Sequence, residues 1–257
     1  MIYIDQIGNE VHLKEPPKRI ISLVPSQTEF LFELGLENEI VGITKFCVHP
    51  GDKVKEVSRI GGTKKFLFDK IHSLQPDLII GNKEENYKEG IEKLYSHYPV
   101  WMSDIYDLVG ALKMMASLGE ITERVDITKL LIHKISNDFN NTSISNQREA
   151  LYLIWKNPYM SVGGDTFINH MMPYAGFINI LGKSKRYPVV SEKEISTLAP
   201  EYILLSSEPF PFKSKHIAEI QKLSSKTKIL IVDGEMFSWF GSRLQYAASY
   251  FKKLQKL

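Results

Sequence analysis

Two eleven-residue stretches of this chain share one grammar, and that repeat restricts the fold more than any other feature. Lys70 to Ile80 reads K-I-H-S-L-Q-P-D-L-I-I, and Glu194 to Leu204 reads E-I-S-T-L-A-P-E-Y-I-L. Each predicts the end of a helix stopped by Pro76 or Pro200, since proline has no amide hydrogen to extend the ladder, followed by an acidic residue and a buried strand. The two halves also open alike. Arg19 to Val24 is an apolar strand running into Pro25, Ser26 and Gln27, and Arg148 to Ile154 is another, running into a Gly/Asp loop and a helix from about Thr166. Ser26 with Glu29 has the spacing of a capping box, Asp165 is placed to cap the second helix, and Gly35 and Gly176 sit where helices terminate. Strand, polar loop, helix and strand in the same order twice predict a two-lobed α/β protein.

Between the repeats lies a helical segment from about Ile121 to Asn141. Ile127, Leu131, Ile135 and Phe139 recur every four residues as one apolar stripe, and no Gly or Pro interrupts it. Roughly twenty helical residues span about 30 Å, enough to link two lobes. The expected organisation is an N-terminal α/β lobe over 1–118, a linking backbone helix over 119–142 and a C-terminal α/β lobe over 143–257, each lobe doubly wound.

Composition narrows the function classes. The net charge is +2, and the basic residues are scattered except for Lys252, Lys253 and Lys256, which argues against nucleic acid as a partner. Cys47 is the single cysteine, so no intramolecular disulfide framework forms. No apolar run approaches the roughly 20 residues that span a bilayer. Met1 to Asp5 leads into a polar strand without a basic region, apolar core or cleavage site. No export signal is read in the chain, which leaves open a cytosolic protein or a sequence that begins after its signal.

The polar loops follow strand ends, where parallel α/β sheets bind ligands. In the first half these are Lys45 to Gly51, Gly61 to Lys65 and Gly81 to Asn86, offering Lys45, Phe46, Cys47, His49, Thr63, Lys64 and Asn82, with Ser26 at the first helix. In the second half the palette is aromatic: Trp155, Tyr159 and Met160, then Phe210 and Phe212, then Phe237, Trp239 and Phe240 with Arg243. Phe237, Trp239 and Phe240 lie on a Gly-bounded loop that resists burial in a core, and such aromatics suit a ligand with large flat apolar surface. Catalytic signatures are missing. The chain has no G-x-S-x-G, no phosphate loop and no G-x-G-x-x-G after a strand, and its seven histidines show no H-x-x-x-H spacing. Cys47 and His49 alone are too few to hold a structural metal.

These residues carry a resemblance. R-I-I-S-L-V-P-S-Q-T-E at 19–29, V-G-I-T-K-F-C-V-H-P at 41–50, I-G-G-T at 60–63, L-Q-P-D-L-I-I at 74–80 and W-F-G-S-R at 239–243, with a helix in between, resemble the substrate-binding proteins of ABC importers for cobalamin, ferric siderophores and haem, most closely the cobalamin branch. The resemblance covers nearly the whole chain from about Pro17. It implies a helical-backbone metal receptor: two lobes on one rigid helix, a ligand cleft between the lobes, no catalysis and no cofactor. The implied ligand is cobalamin or another metal chelate, the implied partner is an ABC transporter permease, and the protein is expected to be a monomer. Its implied place is the periplasm or the outer face of the membrane, although without an export signal a cytoplasmic location stays open. The resemblance puts Phe46 against the corrin and Trp239 and Arg243 in the last cleft loop. It assigns permease docking to Asp69, with Glu192 and Glu194 flanking the matching second-lobe position, Lys193. Thr63 and Asn82 stand near positions where cobalamin receptors carry tryptophans, so the first-lobe pocket is more polar here.

Two alternatives follow from the same residues. One keeps the binding role and changes the ligand to a ferric siderophore or haem, with His49 or Tyr159 as axial candidates and His49 as a direct contact to the ligand's metal. The other is a cytosolic two-domain enzyme with Cys47, His49 or Glu84 acting in the cleft.

Overall fold

The computed structural model describes residues 1–144 and 147–257. They divide into two compact units. Unit 1 contains Met1–Ile105, Val109–Lys134 and Phe240–Arg243, and unit 2 contains Tyr106–Leu108, Ile135–Trp239 and Leu244–Leu257.

Unit 1 begins with an antiparallel hairpin, β1 (Ile2–Ile4) and β2 (Glu10–His12), which turns through Gly8 at a φ of 91°. Its main sheet comprises β3 (Ile20–Ser22), β4 (Ile40–Ile43), β5 (Ser58–Arg59), β8 (Leu78–Asn82) and β9 (Val100–Ser103). A small antiparallel pair, β6 (Gly61–Gly62) and β7 (Lys65–Phe66), follows β5. The order is β5-β4-β3-β8-β9, and all four pairings are parallel. Parallel neighbours require crossovers, and helices α1 (Pro25–Glu33), α2 (Phe68–Leu74) and α3 (Lys88–Tyr95) lie in them. Ile20, Ile21, Ile43, Ile79 and Ile80 are wholly buried, as the near-continuous apolar strands of a covered parallel sheet require.

The capping box expected from Ser26 and Glu29 does not form. Val24 is the N-cap residue, Pro25 occupies the first turn, and no side chain caps α1. Proline suits that position because its missing N–H would have no helical partner there. Ser26 is thereby shifted into the helix, and Glu29 takes a different partner, described below.

The linking segment is two helices, α4 (Leu108–Ile121) and α5 (Val125–Asn140), separated at Glu123, whose φ is 56°. The expected start near 119–121 is therefore corrected to Val125. The buried face of α5 is Thr128, Leu131, Ile135 and Phe139, whereas Ile127 is 40% exposed. A strict four-residue spacing overruns the 3.6-residue turn, so the stripe drifts and Thr128 takes the inward place. Gly119 of α4 makes room for it: a Cβ there would lie 2.3 Å from Thr128 Oγ1. The chain passes from unit 1 to unit 2 within α5, after Lys134.

Unit 2 has a six-stranded mixed sheet. Its strands are β10 (Arg148–Trp155), β11 (Tyr159–Ser161), β12 (Phe177–Asn179), β13 (Val189–Val190), β14 (Tyr202–Ser206) and β15 (Lys228–Val232). The order is β13-β11-β10-β14-β15 with β12 also on β10; β12, β14 and β15 run parallel to β10, while β11 pairs antiparallel with both β10 and β13. Helices α6 (Phe167–Met171), α7 (Glu192–Leu198), α8 (Ser214–Gln221), α9 (Gly234–Ser238) and α10 (Leu244–Leu254) complete it. One core cluster joins Leu151, Leu153, Ile203 and Leu205 of the sheet to Ile195 and Ile220 of the helices. Thr166, not Asp165, caps α6, accepting the Asn169 N–H at 3.2 Å; Asp165 instead accepts the Arg186 N–H at 2.5 Å.

The repeat read in the sequence has one backbone conformation in both units. Helix α2 ends at Gln75 (φ 44°) and α7 at Ala199 (φ 38°), each left-handed and each followed by proline and then by a buried strand, β8 or β14. The left-handed residue turns the chain off the helix axis in the manner of a C-terminal cap.

At the start of α8, buried His216 accepts the Lys213 N–H through Nδ1 at 2.8 Å. Burial holds its pKa below the ordinary imidazole value. In the pH range from the ordinary value, about 6.5, downward, the unfolded chain binds the proton first, so stability rises with pH there. The contribution is complete above the unfolded pKa and is lost as pH falls through the folded one. His216→Asn, which keeps an acceptor near the Nδ1 position, should reduce the loss of stability between pH 7.5 and 5.5 in urea unfolding; an unchanged pH slope would remove His216 as its cause.

Candidate functional site

Because every pairing in the unit 1 sheet is parallel, the C-terminal ends of β3, β4, β5, β8 and β9 share one edge. Strand ends leave carbonyls and amides without ladder partners, and here side chains supply them. Asn86, buried in the loop after β8, accepts the Asn82 N–H at 2.8 Å and donates to the carbonyls of Leu23 and Thr63, both at 3.3 Å. One amide thus clasps the ends of β3 and β8 to the turn between β6 and β7. Asn82 Oδ1 accepts the Glu84 and Glu85 amides at 2.9 and 3.0 Å, and its Nδ2 donates to Ser103 Oγ at 3.0 Å. Gln27 of α1 donates to the same hydroxyl at 2.6 Å. Lys64 Nζ donates to the Glu84 carbonyl at 2.8 Å.

The turn after β4 presents Lys45 and Phe46 outward. Phe46 is 50% exposed, and the Lys45 ammonium stands 5.0 Å from its ring centroid, within cation–π range. Gly62 lies beneath the ring: a Cβ there would come 3.2 Å from Phe46 Cε2. The turn is fixed from behind by Arg59, which donates to the carbonyls of Thr44 (2.9 Å), Cys47 (2.8 Å) and Val54 (2.9 Å). The Lys45 N–H donates to the Gly61 carbonyl at 2.8 Å. His49 and Thr63 are half-buried on the same loops.

Cys47 is placed inward, contrary to an outward contact. It is fully buried, with its Sγ 3.1 Å from Thr28 Oγ1 and 3.3 Å from Thr44 Oγ1, and burial pushes its thiol pKa up, so it is neither a thiolate nor a surface group. Asn82 is likewise buried and committed to the clasp. Ser26 is buried with its Oγ unpartnered. Arg243 is held by Glu29 of α1, its Nε donating to Oε2 at 2.9 Å and its Nη2 to Oε1 at 2.5 Å, with both side chains largely buried. Gly241, at a φ of 100°, brings this segment against α1: a Cβ there would sit 3.2 Å from Phe30 Cβ.

In unit 2, Trp155 at the end of β10 is 40% exposed and meets Phe210 edge-on at 5.8 Å between centroids. Phe210 in turn packs on Phe212 at 4.7 Å and His216 at 5.4 Å. Met160, half-buried in the middle of β11, stands opposite Trp155 in the strand register. Lys156 pairs with Glu219. The other aromatics go inside. Tyr159 and Phe212 belong to the core cluster. Phe237 is wholly buried among Tyr152, Tyr250 and Phe251, and Trp239 and Phe240 are buried too. The expectation that this Gly-bounded loop resists a core is corrected. The loop contains a helix, α9, capped by Asp233 through the Glu235 N–H at 3.0 Å, and its turn points Phe237 into the packing of α10. Trp239 Nε1 and Ser238 Oγ both donate to Glu208 Oε1, at 2.8 and 2.7 Å. Burial raises the Glu208 carboxyl pKa, with help from the Glu235 and Asp233 carboxylates, while the two hydrogen bonds oppose the rise.

Asp69 is exposed in the first turn of α2, and Glu192 is exposed in that of α7. Glu194 is exposed as well, but its carboxylate is occupied by Ser191, which donates its N–H at 2.7 Å and its Oγ–H at 2.6 Å. Arg59, Asn86, Ser103 and Glu208 organise these edges and were not singled out by sequence, and Glu29 was read there only as a capping partner of Ser26. Only Asn86, four residues after Asn82 in a strand-end loop, gave a local signal. Among the described residues no group of three or more His, Cys, Asp or Glu side chains is placed to hold a metal, and no helix is long and apolar enough to cross a membrane.

A family model described as periplasmic binding protein matches residues 20–228. The vitamin B12-binding protein of Vibrio campbellii is 24% identical over 200 residues, covering 74% of this chain and 71% of its own. The ABC transporter substrate-binding lipoprotein YvrC of Bacillus subtilis is 26% identical over 222 residues, covering 79% and 68%. Among solved structures, the periplasmic heme-binding protein RhuT from Roseiflexus superposes with a TM-score of 0.81 at 17% identity, covering 93% of this chain and 98% of that one. This last likeness concerns the fold.

The clasp at the unit 1 edge is testable by itself. Asn86→Ala leaves two carbonyls and one amide without their partner, and unfolding in urea should show a loss of about 1–3 kcal/mol. A loss under a few tenths would mean that water replaces the amide without cost.

Proposed function

The chain belongs to the periplasmic binding protein family, and we propose that it is the substrate-binding component of an ABC importer that captures cobalamin or a related corrinoid. The observation that carries the ligand reading is Phe46. A half-exposed aromatic ring sits on a turn locked by three Arg59 hydrogen bonds, with a glycine beneath it and the Lys45 ammonium beside it. A ring held this way loses little conformational freedom on binding, and it suits a broad apolar macrocycle carrying anionic or amide substituents. The name of the Vibrio campbellii relative supports the same ligand, and that of the Bacillus subtilis relative supports the transporter. Family membership sets aside the enzyme alternative, because the family binds and does not turn over.

Phe46, Lys45, Lys64, Thr63 and His49 are the proposed ligand residues of unit 1, and Trp155, Phe210 and Met160 those of unit 2. Tyr159 supports them from the core cluster on which Phe210 packs, and Phe237, Trp239 and Phe240 are buried elsewhere. Docking on the permease is proposed for Asp69 and Glu192, with Glu194 fixing the start of α7. The chain acts outside the cytoplasmic membrane in this reading.

Isothermal titration with cyanocobalamin, with haemin and a ferric siderophore in parallel, tests the ligand. One-to-one submicromolar binding of cyanocobalamin is expected, corresponding to more than about 8 kcal/mol. Phe46→Ala should weaken it by about 1–3 kcal/mol without changing the unfolding midpoint. Tight binding of haemin or the siderophore alone would move the ligand within the same class, and full affinity in the Phe46 variant would remove that ring from the site.

A further inference from the structure

Outside the edges described above, unit 1 brings together two histidines that lie 25 residues apart in the sequence, too far for any local spacing to announce them. His72 is in the last turn of α2, and His97 and Tyr98 follow α3; the two histidines are exposed and Tyr98 is half-buried. The His72 and His97 ring centroids are 5.3 Å apart with their planes 89° to one another. His72 Nδ1 is 2.6 Å from Tyr98 Oη. The amides of His97 and Tyr98 both donate to the Leu94 carbonyl, at 3.0 and 2.9 Å, so the pair is carried on fixed backbone.

We propose that His72 and His97 form a surface site for a divalent transition-metal ion of the copper, nickel or zinc type. An imidazole nitrogen about 2.0–2.1 Å from such an ion puts its ring centre about 3 Å away, and two rings at a tetrahedral angle then have centres about 5 Å apart. The 5.3 Å between the two ring centres falls at that spacing. Tyr98 supplies the outer partner that metal-binding histidines use. In the tautomer that places the proton on Nδ1, toward the Tyr98 oxygen, His72 keeps the Nε2 lone pair for the ion. Water completes the coordination, since no third His, Cys, Asp or Glu among the described residues joins the pair. Two neutral nitrogens and water favour copper over nickel and zinc, and give magnesium or calcium nothing they prefer. The site is separate from the corrinoid reading and does not depend on it.

Titration of the full chain with Cu²⁺, Ni²⁺, Zn²⁺ and Mg²⁺ by calorimetry tests the proposal, with amide NMR spectra locating the ion. One Cu²⁺ per chain is expected, with Ni²⁺ and Zn²⁺ weaker, Mg²⁺ silent, and paramagnetic broadening centred on residues 72 and 97. His72→Ala and His97→Ala should each abolish the one-to-one isotherm, and Tyr98→Phe should weaken it by roughly tenfold. His133→Ala, at an exposed histidine on α5, should leave it unchanged. The three histidines are exposed and Tyr98 is half-buried, and matching circular dichroism would confirm a common fold. Parental affinity in either the His72 or the His97 variant, or broadening centred elsewhere, would overturn the proposal.

Discussion

The unit 1 sheet is parallel in every pairing, and most of what its binding edge can do follows from that. A parallel ladder admits no tight hairpin, so each strand must be followed by an excursion over a face, and all the excursions leave from the same side. Five strand ends therefore deliver their last polar groups to one edge. Asn86, Arg59, Asn82 and Gln27 are spent on those groups. What is left over to meet a ligand is small in number and firmly held: an aromatic ring, two lysines and the polar tips of two loops.

Unit 2 solves the same problem differently. Its sheet accepts one reversed strand, β11, between β10 and β13, and its third strand-end loop folds into the short helix α9 instead of remaining open. Helix formation turns Phe237 inward and leaves the half-buried Glu208 carboxylate to gather Ser238 and Trp239. A carboxylate drawn partly out of water needs such donors. The aromatic richness of this half is consequently mostly core, with Trp155 and Phe210 as its outward remainder.

The backbone was far more legible than the side chains. Prolines at 76 and 200, acidic residues after them and apolar strands beyond gave α2, β8, α7 and β14 their places, because each signal acts on neighbouring residues. The capping box at Ser26 failed since Pro25 and Val24 competed for the helix start and a residue 214 positions away claimed Glu29. The stripe of α5 was misphased by one residue, since Thr128 owes its burial to Gly119 on another helix. Whether an aromatic in a loop faces in or out is settled by such distant partners, and Cys47, Tyr159 and Phe237 all turned inward for that reason.

The pairing of Glu29 with Arg243 makes unit 1 discontinuous in sequence. Unit 1 includes Phe240–Arg243, so its first helix and this late segment belong to one compact unit although 214 positions separate the paired side chains. Closing so long a loop costs only slightly more than closing a short one, because the entropy grows with the logarithm of its length. A fragment that stopped in α5 would hold the strands of the unit 1 sheet without the guanidinium that its first helix accepts from, so the unit cannot be cut out of the chain as a single contiguous piece.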